Sequence, residues 1–301
     1  MTRKLFKNLV DEYLESRDFA RLTASQDQYK YWLRTLAAID LRGKPLSAWN
    51  YNLLTAPMCQ EVYDTLSDRG VTFANRILAV ARKVFNFGIK YGHLERNPFS
   101  KVQANTEQPR RVIWSRKDVI RFLDVAYSHF DTRSIGLITQ MAYEWGQRIG
   151  DMRELQWDSL NLNECVLDLT QSKRRAVVHL PISEDLCEML KQQHEDLGWQ
   201  PYVAPNVNAK ISGGFKPYDI YQVSRIANKV IEDAGLNTEL RLSDLRRTAA
   251  TEMVEAGVGL AQIMQVTGHQ NPQSVKPYMK NTLTGATNAL TLRSAHRAGE
   301  T

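Results

Sequence analysis

The chain has 301 residues, 43% of them hydrophobic and 24% charged, a balance that suits a soluble globular protein with room for two cores. No apolar run approaches the roughly 18 residues that span a bilayer, and Met1-Thr2-Arg3-Lys4-Leu5-Phe6 lacks the apolar core of a signal peptide, so a cytoplasmic protein without a membrane partner is expected. The net charge of +6 lies wholly in residues 1–105, where it suits a surface that tracks phosphates, although an ordinary basic helical domain reads the same way.

The first hundred residues read as helices. Leu5, Leu9, Val10, Tyr13 and Leu14 repeat at helical spacing, and so do Tyr29, Trp32, Leu33 and Leu36 behind Thr23-Ala24-Ser25. Met58, Val62, Tyr63 and Leu66 mark a third helix over 55–68. Phe73, Ile77, Leu78, Val84, Phe85 and Ile89 mark the longest, over 72–91, with Asp68-Arg69-Gly70 as the stop between the two. Asn97-Pro98 ends the run, because proline disfavours helix at the residue before it. Residues 100–109 have no apolar period and read as a linker. Beyond it, Ser115 and Asp118 announce a capped helix, and 133–145 a largely buried one. Residues 166–169 and 176–180 read as the strands of a hairpin whose tip, Thr170-Gln171-Ser172-Lys173-Arg174-Arg175, is basic. From 184 onward helices dominate, interrupted by a Pro/Gly/Asn-rich stretch at 201–216. The fold class expected is therefore mostly α with a small β-sheet, an α+β chain. Cys59, Cys165 and Cys187 are odd in number and lack metal-ligand spacing, so they are expected to be reduced packing thiols, with no metal bound.

Five dispersed residues stand out. Arg148, in Gly146-Gln147-Arg148-Ile149-Gly150-Asp151, sits where a buried helix ends, and a glycine there permits the sharp turn that would present it. Asp151 can brace its guanidinium. Lys173 lies at the hairpin tip. Arg246 opens a helix with apolar Leu245, Ala249 and Met253, with Ser243 as the expected N-cap; an unpaired guanidinium there would be costly, and a phosphate would fit its fork. His269 follows Gly268, and Tyr278 comes nine residues after it. Taken singly, each has an ordinary reading: a salt-bridged arginine, a solvated turn, an arginine–carboxylate pair, a turn histidine and a packing tyrosine.

Together, in this order and spacing, they resemble the tyrosine recombinase (phage integrase) family. The resemblance rests on Gly-x-Arg with an acid three residues on, the hairpin lysine, Ser243-Asp244-Leu245-Arg246, Gly268-His269 and Tyr278, and extends to Asn97-Pro98 closing a helical N-terminal domain. It implies that Tyr278 attacks a scissile phosphate, leaving a 3′-phosphotyrosyl link and a free 5′-hydroxyl, without ATP, metal or other cofactor. Arg148 and Arg246 would neutralise the non-bridging oxygens, Lys173 would protonate the leaving oxygen and His269 would donate to the phosphate. Asp151 would keep the site in register, and Arg174, Arg175 and Arg247 become candidate DNA contacts.

One position departs from the family pattern. Ser243 stands where a histidine is usual, and a hydroxyl cannot exchange a proton near neutral pH, so the removal of the tyrosine proton loses its usual acceptor. The architecture implied is a helical core-binding domain over 1–103, a linker over 104–112 and a catalytic domain over 113–301 with a C-terminal tail, closing around duplex DNA like a C. Helical pattern begins almost at Met1, so no arm-site domain is expected ahead of it. Partners implied are double-stranded DNA with an inverted-repeat core site, a homotetramer on two such sites through the tail after Tyr278 (Leu283, Ala286, Leu290), and an accessory directionality factor. Prophage integration is the expected role. Chromosome-dimer resolution, transposon movement, a silent DNA-binding relative and a type IB topoisomerase are the rivals.

Overall fold

Apolar residues three and four apart close the first part of the chain around one core. The computed structural model describes residues 4–23, 25–108, 110, 112–173, 175–207, 215–278 and 283–298, with backbone alone at 283 and 284. Two compact units divide it, Met1–Arg110 and Arg111–Thr301.

In the first unit the helices are α1 (Phe6–Glu15), the single turn α2 (Arg17–Ala20) and α3 (Gln26–Ala38). A short antiparallel ribbon follows, β1 (Asp40–Leu41) and β2 (Lys44–Pro45), which the sequence reading did not anticipate. Its turn has both central residues left-handed, Arg42 at φ +54° and Gly43 at φ +86°, the twist that lets two-residue hairpins close. Then come α4 (Ala56–Ser67), begun by Thr55 accepting from the Met58 amide, and α5 (Val71–Lys90). Phe6, Leu9, Tyr13, Leu36, Val62, Ile77, Val84 and Phe85 fill the core, with Phe6 stacked on Phe85 at 5.4 Å.

Residues 102–108 have no regular structure, yet they are fastened to this unit. Arg82 donates to the Val102 carbonyl, the Asn105 amide donates to the Tyr63 hydroxyl at 2.7 Å, and Asn75 donates to Asn105 O and Glu107 Oε1. The Asn75 and Thr72 hydrogen bonds hold the Glu107 carboxyl below the usual glutamate range, that from Asn75 contributing most.

The second unit starts at α6 (Arg116–Tyr127), whose Ser115 and Asp118 form a complete capping box. The central helix is α7 (Phe130–Glu144), with Ile135, Leu137, Ile138 and Met141 wholly buried. After the short α8 (Ile149–Arg153), three strands form an antiparallel sheet in chain order: β3 (Leu160–Asn161), β4 (Val166–Thr170) and β5 (Val177–Pro181). Leu167, Leu169, Val178 and Leu180 face the core while Asp168, Thr170, Val177 and His179 face outward, the alternation expected of a half-buried hairpin. Helices α9 (Glu184–Leu197), α10 (Ile220–Asp233), α11 (Leu245–Glu255), α12 (Leu260–Thr267) and α13 (Leu283–Ala298) complete it. Among the described residues, no helix is long and apolar enough to cross a membrane.

Two sequence expectations need correction. Cys165 and Cys187 are joined in a disulfide, their Cα atoms 6.0 Å apart, and only Cys59 is a buried free thiol. Ser243 is not the N-cap of α11. It sits in a 3-10 turn, Leu242–Asp244, so that the helix starts one residue later with Asp244 in the cap position.

Candidate active site

The turn after α7 is made by Gly146 at φ +58°, a left-handed conformation that side chains resist. A Cβ there would also touch Ala249 Cβ at 3.4 Å, so α11 passes close beneath. The chain then enters α8 with Arg148 as its N-cap residue. The Arg148 side chain, a quarter exposed, donates from Nη1 to Gln171 Oε1 at 2.8 Å and lies 3.6 Å from Asp151 Oδ2. Asp151 is itself buried. Its Oδ1 accepts from both the amide (3.0 Å) and the hydroxyl (2.6 Å) of Ser172, which ties α8 to the hairpin.

The hairpin mouth is closed by the Gln171 backbone, whose amide donates to Ala176 O at 2.8 Å and whose carbonyl accepts from the Arg175 amide at 3.0 Å. Lys173 is exposed at the tip, one residue beyond the anchored Ser172. Arg175 is exposed and left-handed at φ +53°, and Arg174 lies outside the described residues.

The other half of the site comes from the start of α11 and the end of α12. Arg246 is 9% exposed and donates to the Gly146 carbonyl at 3.1 Å, with its Nη2 3.1 Å from His269 Nε2. Thr267 fixes the ring's tautomer. Its hydroxyl donates to Ile263 O at 2.6 Å, so toward His269 Nδ1, also at 2.6 Å, it accepts. The ring proton is therefore on Nδ1, and Nε2 offers its lone pair to Arg246. Tyr278, half-buried in a 3-10 turn, places its ring centroid 6.1 Å from that of His269. Arg247 is half-buried beside Arg246. Ser243 is exposed and, among the described residues, its side chain makes no hydrogen bond.

Arg148, Asp151, Arg246, His269 and Tyr278 thus come into one neighbourhood from positions far apart, and Lys173 adjoins it on the hairpin. Sequence reasoning missed the residues between them: Gln147, Gln171 and Thr267, all wholly buried. Gln171 Nε2 donates to Gln147 Oε1 at 2.6 Å and to Thr267 O at 2.9 Å; Gln147 Nε2 donates to Trp145 O at 2.8 Å and Val266 O at 2.7 Å. The one signal available was position: Gln147 adjoins Arg148, and Gln171 and Thr267 stand two residues before Lys173 and His269. Among the described residues, no three His, Cys, Asp or Glu side chains gather to hold a metal ion. A partly buried cluster of two guanidinium groups, an imidazole and a phenol suits a tetrahedral anion and a nucleophile directed at it.

Residues 115–284 match the model of the phage integrase family, more than half of the chain. Tyrosine recombinase XerC of Pediococcus pentosaceus is 21% identical over 215 residues, 69% of this chain and 70% of that protein. The structure is similar to lambda integrase, solved as a tetramer bound to a Holliday junction, with a TM-score of 0.74 and 18% identity over 93% of this chain and 78% of that one. It is also similar to the integrase of the Tn1549 transposon, solved with transposon right end DNA, with a TM-score of 0.75 and 13% identity over 97% and 99%. The last two likenesses are of fold.

Proposed function

The chain belongs to the phage integrase family of tyrosine recombinases, and we propose that it is a prophage integrase that cuts and rejoins DNA at an inverted-repeat core site. The observation that carries the site assignment is the unbroken line of contacts from Arg148 through Gln171, Thr267 and His269 to Arg246 and Tyr278.

In this reading the Tyr278 phenol loses its proton to water, its oxygen attacks phosphorus, the phosphorus–O5′ bond breaks and Lys173 gives the departing oxygen a proton. The DNA 3′ end remains esterified to the phenol, and attack by a 5′-hydroxyl reverses the step. Arg148 and Arg246 stabilise the charge that grows on the non-bridging oxygens, each worth about 3–4 kcal/mol of barrier. His269 accepts from Arg246 in the DNA-free site and turns donor toward the phosphate once its ring gains a proton. Asp151 holds Ser172 and so the lysine-bearing tip. Arg174, Arg175 and Arg247 contact the DNA backbone. Ser243 cannot take the tyrosine proton, so cleavage is slow relative to a histidine-bearing site.

Residues 1–103 act as the core-binding domain, joined through 104–112 to a catalytic domain over 113–301, and the two close on duplex DNA. The lambda integrase tetramer on a Holliday junction supports a homotetramer on two sites. In the same reading α13 reaches a neighbouring protomer and an accessory factor sets direction. The work is done in the cytoplasm, on DNA. Relatives that are a XerC recombinase and a transposon integrase keep dimer resolution and transposition as second readings.

The test is a covalent trap: nicked duplexes tiled across the neighbouring genome are incubated with the protein, denatured in detergent, and the attached DNA sequenced. A tyrosine adduct at one locus, lost in Tyr278→Phe, is expected. An adduct that survives this change would remove Tyr278 as nucleophile, whereas tight binding at one locus with no adduct would favour a silent DNA-binding protein. Ser243→His should then speed cleavage.

A further inference from the structure

We infer that Gln171 is a positioning residue that sets the Arg148 guanidinium for the scissile phosphate and couples it to the hairpin carrying Lys173. The inference deepens the recombinase reading and rests on it.

Two helices end side by side here, α7 at Glu144 with Trp145 as its C-cap and α12 at Thr267, and each leaves carbonyls without intrahelical partners. The two glutamine amides supply the missing donors. Gln147 serves one carbonyl from each helix, Trp145 O and Val266 O, while Gln171 serves Thr267 O and Gln147 Oε1. All four amide protons are then used, and neither amide can be reversed. A reversed Gln171 would set its oxygen against two oxygens and its NH2 against a guanidinium N–H.

Satisfying the helix ends explains both donors, but it leaves Gln171 Oε1 aimed at Arg148 Nη1, 2.8 Å away. Arg148 is a quarter exposed, so complete burial does not hold the guanidinium there. What the Gln171 contact does is fix direction. Gln171 is wholly buried and immobilised at both ends of its amide, so the guanidinium it holds is immobilised with it. Its backbone meanwhile closes the hairpin mouth through Ala176 O and the Arg175 amide. The neighbouring Ser172 is held by Asp151, 3.6 Å from the same guanidinium. Arg148 and the lysine-bearing tip are therefore strapped together twice.

Gly268 is the complement of this arrangement. A Cβ there would lie 2.5 Å from Gln171 Nε2, so the glycine before His269 makes room for the amide as well as adopting φ +67°.

The experiment uses the full chain and the nicked duplex recovered by the trap. Single-turnover adduct formation, DNA retention and thermal unfolding are measured for wild type, Gln171→Met, Arg148→Lys and the double variant. Methionine keeps the length and loses every hydrogen bond. Displacing a reacting group by an ångström costs on the order of 100-fold in rate, and Gln171→Met is expected to slow adduct formation by that much with DNA retention unchanged. In the Arg148→Lys background the same change is expected to cost little more. An equal loss in both backgrounds means that Gln171 acts independently of Arg148 and overturns the proposal. If Gln171→Met does not fold, Gln147→Met loosens the amide without touching Arg148 and carries the same comparison.

DNA-free crystal structures give a second arm. Arg148 is expected against Gln171 in wild type and displaced in the methionine variant, and an unmoved Arg148 also overturns the proposal. Absence of any wild-type adduct would sink the recombinase reading, while the crystals still decide about Gln171.

Discussion

Within residues 4–110, Asn97 is, apart from tyrosine hydroxyls and the Cys59 thiol, the only polar side chain that is buried among those described, and its work is local: it accepts from the Phe99 amide and donates to Arg82 O and Asn86. The second unit buries Gln147, Asp151, Gln171, Asp244, Arg246, Thr267 and His269 among others. Burying such groups costs free energy unless each finds a partner, so an interior built only for stability would look like the first unit. Gln193 and Gln200 are buried near the end of α9, where they serve backbone carbonyls, but Gln147, Gln171, Thr267, His269 and Arg246 are joined to one another where α7 and α12 end against α11 and the hairpin. That is also where the site residues converge. A connected network of buried polar side chains, more than polar burial alone, sets the proposed site apart.

Damage to each interior in turn should have opposite effects. Phe85→Ala removes a wholly buried ring stacked on Phe6 and beside Phe99, and is expected to lower the stability of the first unit by about 3–5 kcal/mol in chemical unfolding. The adduct rate of the folded, DNA-bound protein should not change. Arg246→Ala should do the reverse, raising the cleavage barrier by about 3–4 kcal/mol while unfolding of residues 4–110 stays put. An exchange of these effects would show that the two interiors are not specialised.

Two glycines separate the units at lower energy. Gly92, in the first unit, has φ +76° and nothing within 4 Å of where a Cβ would stand; Gly268 has φ +67° and Gln171 in the way. Alanine at either should cost about 1–2 kcal/mol in backbone strain, to which the overlap with Gln171 adds at Gly268 alone. Only Gly268→Ala should also slow adduct formation, and equal kinetics for the two would mean that the space over Gln171 is immaterial.

The smallest effect is expected at Glu107. Its folded pKa is depressed below 4.5, so the stabilisation it gives the 102–107 segment is fully present above that value and is lost as pH falls through the lowered one. Exchange protection of the Asn105 amide, corrected for intrinsic rate, should fall across that acid window in wild type and be weak throughout in Glu107→Gln. Unchanged protection would mean that Tyr63 alone holds the segment.

Much of this was legible in the sequence because it depends on short-range periodicity. The helices that became α1, α3, α4 and α5, the capping box at Ser115 and Asp118 and the hairpin around Lys173 each follow from residues within a few positions of one another. The turn at Gly146 was legible for the same reason. Gln147, Gln171 and Thr267 were not, since a buried amide is recognised by partners as far as 119 positions away, and glutamine alone carries no pattern. The β1–β2 ribbon offers two residues per strand, too few to show alternation. Ser243 looked like a cap by residue type, but the 3-10 turn moved the helix start past it.

The Cys165–Cys187 bond has a topological consequence. Cys165 immediately precedes β4 and Cys187 lies in α9, so the exposed tip with Lys173 and Arg175 lies inside a covalently closed ring. A protease that cuts the tip would leave one molecule, held by sulfur, until a reductant separates the halves.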